Sequence, residues 1–555
     1  MGALTVALTA PAAGRDDASA LLKRRVSVFA ALPAVQRVVL LHEGGKPHVA
    51  LSDGPSRKLH FVQTGALSAG ASLARVIECS QTDDLMLILS GADVEIGPCD
   101  LERMLTIRAS TGAGLVYSDY EELRDDRAVE HQTIDYQSGS LCDRFDFGGL
   151  ALISKRAVER ALRKYGQLRL EQRWAGAYEL RLKLSVDHPI MRIPESLYTI
   201  RPGAPKAASV ESLMAVNPPP GTPAPWQREY QLEMQATLTA HLRRIGAFIE
   251  PDACTPLPPP AGEFPVLASI IIPVRNRDTT IIAAVESALS QSASFSYNVI
   301  VVDHHSTDRT TAILQDLSRR HKKLRHLFPP RANLGIGGLW NTAIYSQDCG
   351  LFAVQLDSDD VYTDEHALEK LVNRFYDSDG AQGLAAAAGK APVCALVIGH
   401  YRRVDFNLEE QPHGGTDYRE WPQDNGRNDV LRLDGLGAPR AYYVPVLRRF
   451  GFPNVSYGED YALCLRLSRE YKIGRVLEPL YLARQWAGNT ERTLPLSSTE
   501  RFGLLDLMPN EDAAQSALFT RVSPALSKLL LTTRNRHAAY KDWLRTIEVR
   551  ARMSR

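Results

Sequence analysis

The sequence contains few cysteines and no paired cysteine motif. Its 555 residues include 7 cysteines, which are scattered along the chain, and no CxxC pair occurs. A disulfide framework and a cysteine-based zinc site are therefore not expected. A reducing compartment fits this use of cysteine, and we expect a cytoplasmic protein.

The sequence also lacks a long hydrophobic run and an excess of charge of either sign. No stretch of about 18 apolar residues occurs, so no transmembrane helix is predicted. The 65 basic and 64 acidic residues leave a formal net charge of +1, which argues against nucleic acid as a partner. The basic segment 534–555 leaves open a peripheral contact with the inner face of a membrane.

The chain is too long for a single hydrophobic core, and its patterns divide it into segments. Apolar strand-like runs alternate with helical patterns twice, which predicts an α/β fold in both places. In chain order we expect a flexible lead-in at 1–24, a first α/β domain at 25–200, a Pro-rich linker at 201–265 with a helix at 228–249, a second α/β domain at 266–490 and a helical extension at 491–555.

Carboxylates follow the predicted strands of the second domain. "YNVIVVDHHSTD" ends its apolar run at Asp303, and "FAVQLDSDDVY" ends its run at Asp357, Asp359 and Asp360. Because ligands bind beyond the carboxyl ends of parallel strands, we expect these acids to converge. A divalent cation that clamps a diphosphate would offset their repulsion. The alternative is an N-cap cluster for the helix that begins in "DDVYTDEHALEKLV".

A second acidic pair opens a later helical pattern. In "NVSYGEDYALCLRLS", Glu459 and Asp460 stand at the predicted first turn of an amphipathic helix. Such acids often serve only to complement the helix dipole. They could equally supply a general base, which needs a carboxylate beside the attacking hydroxyl.

Taken together, these motifs resemble the family 2 glycosyltransferases, which have the GT-A fold. The matching pieces are "SIIIPVRNR", "VIVVDHHSTD", "NLGIGGLWNTAI", "VQLDSDD" and "YGEDYALCLRLS", and the resemblance covers residues 266–490. It implies an inverting transfer of a sugar from a nucleotide-diphospho-sugar, with UDP as the default nucleotide, to a hydroxyl acceptor, with Mn²⁺ or Mg²⁺. Such an enzyme would serve glycan or polysaccharide biosynthesis.

The resemblance also implies roles for individual residues. Pro273 and Asn276 would lie beside the nucleotide, Asp303 would hold its base or ribose, Asp357 would contact the ribose or the metal, Asp359 would bind the metal with Asp360 beside it, and Asp460 would be the catalytic base with Glu459 next to it. Four further residues are candidates for donor or acceptor contacts, with ordinary packing or a surface ion pair as the alternative: Trp421, Arg440, Arg484 and Trp486.

The sequence departs from the family pattern at several positions. "DHHSTD" stands where "DDGSTD" is common, and Trp340 stands where relatives often have Arg. "YLARQWAGN" matches the QxxRW motif of processive synthases only loosely, so we expect a non-processive enzyme. A rival hypothesis is a non-catalytic nucleotide-sugar-binding scaffold or sensor. Whether the chain forms a homo-oligomer is left open.

The first domain resembles the second one. "LMLILSGADVEIGPCDLERML" parallels "FAVQLDSDDVYTDEHALEKLV", and "YELRLKLS" parallels "YALCLRLS". We therefore predict two GT-A-like domains in tandem. Ser90 and Ala92 replace Asp357 and Asp359, and Gly176 and Ala177 replace Glu459 and Asp460, so we expect the first domain to be non-catalytic. The alternative is a metal-free transferase that uses Asp93 or Asp119.

Overall fold

The computed structural model describes most of the chain up to Trp486. The described residues are 3–10, 18–44, 47, 49, 56–89, 93–124, 127–136, 140–143, 145–201, 224–376, 391–415, 426–432, 436–456 and 458–486. They divide between Phe248 and Ile249 into two compact units. Every helix in the described ranges is too short or too polar to span a lipid bilayer.

The first unit alternates strands and helices. Its elements are β1 (Leu4–Thr9), α1 (Ala18–Ala31), β2 (Val35–His42), β3 (Leu59–Gln63), α2 (Gly70–Cys79), β4 (Asp84–Ile88), β5 (Asp93–Glu95), α3 (Pro98–Thr111), β6 (Leu115–Arg124), β7 (Arg127–His131), β8 (Leu150–Ser154), α4 (Lys155–Tyr165), α5 (Gly176–Asp187), β9 (Ile190–Arg201) and α6 (Ala224–Arg244). The strands form one mixed sheet in the order β3-β2-β1-β4-β8-β6-β9-β5, and β7 pairs with β6.

The second unit repeats this plan. Its elements are β10 (Ala268–Val274), α7 (Ile281–Leu289), β11 (Tyr297–Asp303), α8 (Thr310–Arg320), β12 (Leu324–Leu327), α9 (Ile336–Ile344), β13 (Phe352–Gln355), β14 (Val361–Tyr362), α10 (Ala367–Asn373), β15 (Leu396–Val404), β16 (Glu410–Gly415), α11 (Gly426–Asp429), β17 (Arg440–Tyr443), α12 (Val444–Phe450), α13 (Glu459–Ser468) and β18 (Ile473–Arg484). The sheet order is β12-β11-β10-β13-β17-β15-β18-β14, and β16 pairs with β15.

The two sheets have the same topology, strand for strand. Adding nine to each strand number of the first sheet gives the order of the second, including the side pairing of β7 and of β16. In both units the central strands pair in parallel, as β1 does with β2 and β10 with β11. The predicted α/β fold class, with two domains of one plan in tandem, is confirmed.

The prediction of a flexible lead-in at 1–24 is wrong. Residues 4–9 form β1, which lies in the middle of the first sheet between β2 and β4. Leu4, Val6, Ala7 and Leu8 are fully buried there. The run "LTVALT" is short, but burial on both faces of a parallel sheet stabilises it as a strand.

The segment predicted as a linker contributes to both units. Its helix begins at Ala224 and ends at Arg244, rather than at 228 and 249, and it packs against α5. The Glu233 carboxylate accepts hydrogen bonds from the backbone N–H groups of Trp174 (2.8 Å) and Ala175 (2.7 Å), just before α5 begins. The proline-rich part that follows contacts the second unit, where the Tyr443 hydroxyl donates to the Pro258 carbonyl. Residues 202–223 and the predicted extension at 491–555 lie outside the described residues.

The core of the second unit explains where its polar groups gather. Ile270 to Ile272 on β10 and Val299 to Val302 on β11 are fully buried, as is typical of parallel strands that are covered on both faces. Polar side chains are therefore confined to the strand ends. The carboxyl ends of β10, β11 and β13 lie at one edge of the sheet, since these strands pair in parallel.

Candidate active site

Asp303 ends β11 and is completely buried. Its carboxylate accepts hydrogen bonds from the Ser306 N–H (2.9 Å) and the Thr311 hydroxyl (2.6 Å), and the His326 ring nitrogen lies 3.4 Å from it. Burial by itself would raise the pKa of Asp303, but these hydrogen bonds outweigh it and lower the pKa well below its ordinary value. The carboxylate is therefore ionised and held by the protein.

The loop after β10 contacts the loop after β11 through Asn276. Asn276 has φ 52°, a left-handed conformation that asparagine tolerates better than most residues. Its side-chain oxygen accepts a hydrogen bond from the Thr307 N–H (2.8 Å), and its own N–H donates to the Ser306 hydroxyl (3.0 Å). Pro273, three residues earlier, lies half-buried at the end of β10. These contacts hold the two loops together at the edge of the sheet.

Asp357 follows β13 and is held by two neighbours. The Gln355 side-chain amide donates to both carboxylate oxygens, at 3.2 and 3.1 Å. The backbone N–H of Asp357 donates to the Tyr481 hydroxyl on β18 (2.9 Å). Burial, together with the nearby charge of Asp359, raises the pKa of Asp357 to about 6, although the hydrogen bond from Gln355 opposes the shift.

Asp359 and Asp360 contact the end of β18. The Trp486 indole N–H donates to the Asp359 carboxylate (3.1 Å), and the Arg484 guanidinium donates to the Asp359 carbonyl (3.0 Å). The backbone N–H of Arg484 donates to the Asp360 carboxylate (2.8 Å). Asp360 is buried, and burial together with the charges of Asp357 and Asp359 raises its pKa well above its ordinary value. Crowding of the acids therefore acts together with burial on the pKa of Asp360.

Glu459 and Asp460 open α13, directly after Gly458, whose φ is 72°. Asp460 is partly exposed and forms an ion pair of 2.7 Å with the Arg440 guanidinium. Glu459 is only 7% exposed, and its Oε2 has no hydrogen-bond partner among the described residues. Burial and the charge of Asp460 raise the pKa of Glu459 well above its ordinary value.

A chain of hydrogen bonds joins the two acidic motifs. Arg440 lies at the start of β17, where its guanidinium contacts the Gln355 side-chain oxygen (3.0 Å) as well as Asp460. Gln355 in turn holds Asp357. Because β13 and β17 pair with Val354 opposite Ala441, the next positions, Gln355 and Arg440, lie side by side. The order of contacts is therefore Asp357, Gln355, Arg440, Asp460.

The structure brings most of the predicted site residues into one region. Contacts join Asp357, Asp359, Asp360, Arg440, Asp460, Arg484 and Trp486 directly or through Gln355. Pro273, Asn276 and Asp303 lie at the neighbouring strand ends, and Arg277 approaches Asp359 to 3.8 Å. Trp421 lies outside the described residues, so its predicted role has no structural counterpart here.

The sequence interpretation missed Gln355, Arg277 and Tyr481. Gln355 had a usable signal, because it is a polar residue inside the apolar run "FAVQL", two positions before Asp357. Arg277 directly follows Asn276, which was singled out. Nothing in the sequence near Tyr481 indicates that its hydroxyl accepts a hydrogen bond from Asp357, 124 positions away.

The arrangement fits a divalent cation that binds together with a phosphate-bearing ligand. In the described ranges, no group of three or more His, Cys, Asp or Glu side chains could hold a metal ion by itself. Mg²⁺ is commonly bound by only one or two carboxylates, with substrate phosphates completing its ligands. Asp357 and Asp359 offer such oxygen donors, and a cation would relieve the crowding that raises the pKa of Asp357.

In the first unit, ion pairs hold the acids of β5. Asp93 begins β5 and stands where Asp360 precedes β14, while Ser90 and Ala92 lie outside the described residues. Arg24 pairs with Asp93 at 3.0 Å and also contacts Glu95, which Arg201 approaches to 3.0 Å. Guanidinium groups thus pair with both acids, although burial still raises the pKa of Asp93 while the pKa of Glu95 is lowered by its hydrogen bonds to Arg201 and Arg24.

The start of α5 also lacks the acidic side chain that stands at the start of α13. Gly176 packs so closely on α2 that a Cβ atom added to it would lie 2.4 Å from the Gly70 backbone nitrogen. No side chain fits there, so the first unit has no room for a counterpart of Glu459. In the second unit Gly337 on α9 leaves that room, since its own added Cβ would lie 3.1 Å from the Glu459 Cβ.

Comparison with known proteins gives a family for the second unit. Residues 269–424 match the model of Glycosyl transferase family 2, which includes the three acids after β13 and ends before Arg440 and Asp460. A stretch of 110 residues is 39% identical to a chondroitin synthase of Escherichia coli. That match covers 20% of this chain and 15% of the chondroitin synthase.

Solved structures with partial similarity include two proteins in complex with nucleotide sugars. The Staphylococcus aureus protein TarS, residues 1–349 in complex with UDP-GlcNAc, is 17% identical and has a TM-score of 0.32; the match covers 49% of this chain and 78% of that one. The mannosyltransferase PcManGT from Pyrobaculum calidifontis, in complex with GDP-Man and Mn²⁺, is 13% identical with a TM-score of 0.31; the match covers 55% and 82%. Residues 269–424, which lie within the second unit, are thus similar to Glycosyl transferase family 2.

Proposed function

We propose that the second unit is an inverting, metal-dependent, non-processive glycosyltransferase. It would move a sugar from a nucleotide-diphospho-sugar to a hydroxyl acceptor in glycan or polysaccharide biosynthesis. The observation that carries the proposal is the hydrogen-bonded connection from Asp357 through Gln355 and Arg440 to Asp460. It fixes a donor-side acid and a candidate base relative to each other.

The acids after β13 would serve the donor. Asp357 and Asp359 would hold Mn²⁺ or Mg²⁺, and Asp360, held by the Arg484 N–H, would support them. When bound, the cation supplies positive charge against the diphosphate leaving group. Pro273, Asn276 and Asp303 would line the nucleotide end. Because both oxygens of Asp303 are already engaged, we propose that it acts by holding its loop rather than by direct contact with the base.

Asp460 would be the base. It is the more exposed member of the acidic pair, and an acceptor hydroxyl can reach it only if its carboxylate is accessible. Attack on the face of the sugar opposite the leaving group is a single displacement, which inverts the anomeric centre. Arg440 would orient the Asp460 carboxylate through their 2.7 Å ion pair.

The remaining parts of the proposal rest on sequence. The loose match of "YLARQWAGN" to the processive motif supports a non-processive enzyme. The similarity to a chondroitin synthase supports a glycan acceptor. The identities of the nucleotide and the sugar are left to experiment, with UDP as the first choice.

We further propose that the first unit does not catalyse transfer. Asp93 is buried and paired with Arg24, and Asp119 is only 2% exposed and accepts hydrogen bonds from Thr133 and Arg192. Neither acid is available as a base. Buried aromatic rings also pack together around the segment between β7 and β8. They are Tyr117, Tyr136, Phe145, Phe147 and Tyr178.

A donor screen tests the proposal. The full chain is incubated with UDP-, GDP- and dTDP-sugars and a glycan array, with Mn²⁺ or Mg²⁺ and then with EDTA. We expect nucleoside diphosphate release from one donor, loss of release with EDTA, and an inverted anomeric centre in the NMR spectrum of the product. Release that persists in EDTA would contradict metal dependence. Donor binding without transfer to any glycan would favour the scaffold or sensor.

A further inference from the structure

An aromatic side chain protrudes from the hairpin that joins β15 and β16. Phe406 is 45% exposed at the tip, and Leu408 beside it is 40% exposed with φ 69°. The turn is closed by Asp405, whose N–H donates to the Glu409 carbonyl (2.9 Å) and whose side chain accepts from the Glu409 N–H (2.9 Å). The tip is therefore an ordered turn that exposes apolar surface.

The exposed Phe406 ring lies next to Trp486, which belongs to the candidate active site. The rings of Phe406 and Trp486 lie 5.4 Å apart with an interplanar angle of 52°, and the Trp486 N–H donates to Asp359. The Arg484 guanidinium lies 5.7 Å from the Phe406 ring, and the Arg277 guanidinium lies 5.9 Å from the Trp486 ring. The hairpin is held in place because the Gln485 N–H donates to the Val404 carbonyl (2.7 Å).

We propose that Phe406 and Trp486 form a platform for a pyranose ring of the acceptor glycan. This inference rests on the proposed function and names the chemical class of its acceptor. The platform begins at the acid that would hold the metal and extends outward along the hairpin. A sugar on it would have one end near the reacting centre and the other in solvent.

The surroundings of the two rings favour a sugar over a lipid chain. A pyranose has an apolar C–H face that can cover an aromatic ring, and a rim of hydroxyl groups that needs polar partners. Arg277 lies beside the Trp486 ring with its side chain 20% exposed, and Glu409 and Glu410 are exposed on the hairpin. A lipid tail would instead have to bury these charged neighbours without replacing their water, which is costly.

Binding of simple sugars tests the platform directly. Saturation-transfer NMR would be recorded on the full chain with the methyl β-pyranosides of glucose, galactose, N-acetylglucosamine and N-acetylgalactosamine, and with octyl β-glucoside. We expect ring protons of at least one methyl glycoside to receive saturation from the wild type. Phe406→Ala should weaken that binding about tenfold, and Phe406→Trp should restore it. Leu477→Ala, which removes another exposed side chain of the same unit, is the control.

Several results would overturn the platform. They are the absence of binding of any methyl glycoside, equal binding by wild type and Phe406→Ala, and saturation confined to the octyl chain of octyl β-glucoside. A fall in binding with Leu477→Ala of the same size as with Phe406→Ala would also contradict it. Donor turnover by the wild type is measured in parallel. Its absence would contradict the proposed function, whereas the sugar-binding experiment tests the platform alone.

Discussion

Arg440 is the side chain that connects the two acidic motifs. It is 8% exposed, and its guanidinium contacts Gln355, Asp460 and the Leu436 carbonyl. A planar guanidinium can make these contacts at once, whereas a lysine ammonium is a single point charge on a flexible stem. The position of Asp460 relative to Asp357 therefore depends on the shape of this side chain as well as on its charge.

Substitution of Arg440 should lower turnover more than donor binding. We expect Arg440→Gln to reduce kcat by about 10- to 100-fold, because a small displacement of a catalytic group costs about that much, while the KM for the donor changes little. Arg440→Lys should recover only part of the loss. Steady-state kinetics with the preferred donor give both constants. Arg325→Gln, which removes an exposed arginine paired with Asp348, is the control; an equal loss there would contradict a specific role.

A buried histidine makes the first unit sensitive to acid. His241 on α6 is 3% exposed, and burial together with the charges of Arg244 and Arg181 lowers its pKa to about 3. In the unfolded chain its pKa returns to about 6.5. Below about pH 6.5 the unfolded chain therefore binds a proton that the folded chain does not, and the free energy of unfolding falls by up to about 1.4 kcal/mol per pH unit.

The histidine substitution should flatten this pH dependence. We expect His241→Gln to lose much less stability than the wild type between about pH 6.5 and pH 5, with no difference in slope above pH 7. Urea unfolding at a series of pH values, read by hydrogen exchange in peptides from α5 and α6, measures it. The exposed His60→Gln is the control. Parallel slopes for wild type and His241→Gln would show that another group controls the acid response.

At the scale of elements, the sequence predicts the strands and helices whose patterns are local. The end of β11 at Asp303, the end of β13 shortly before Asp357 and the start of α13 at Glu459 follow directly from apolar runs and their breaks. β1 was missed because its stability comes from partners far along the chain, with Leu4 pairing with Val35 and with Asp84. The contact of Gln355 with Arg440 was missed for the same reason, since only the register of β13 and β17 creates it.

The packing of α5 on α2 gives a prediction at this scale. An added Cβ at Gly176 would meet backbone atoms that cannot move aside, so Gly176→Ala should lower the free energy of unfolding of the first unit by about 1–3 kcal/mol despite the better helix propensity of alanine. Gly44→Ala, where an added Cβ meets no atom within 4 Å, is the control. Urea unfolding with hydrogen exchange in α5 measures the loss. Equal stability of the two variants would mean that α5 and α2 can separate at no cost.

At the scale of the whole molecule, one topology occurs twice, and the acids at the corresponding strand ends have different neighbours in the two units. The second unit keeps Asp357, Asp359 and Asp360 crowded at a strand end, with raised pKa values for Asp357 and Asp360. The first unit pairs Asp93 and Glu95 with arginines and has Gly176 at the start of α5. We propose that the acids of the second unit bind a cation, and we assign transfer to that unit alone.

Comparison of acid substitutions in the two units tests this assignment most directly. Nucleoside diphosphate release from the preferred donor, with Mn²⁺ or Mg²⁺ and a glycan acceptor, would be measured for wild type, Asp359→Asn, Asp460→Asn and Asp119→Asn. Asp364→Asn, an exposed acid near β14, is the control, and hydrogen exchange confirms that each variant is folded. We predict a loss of about 100-fold or more for Asp359→Asn and Asp460→Asn, and release close to that of the wild type for Asp119→Asn and Asp364→Asn. Release that survives in Asp359→Asn and Asp460→Asn but is lost in Asp119→Asn would place the active site in the first unit and contradict the assignment.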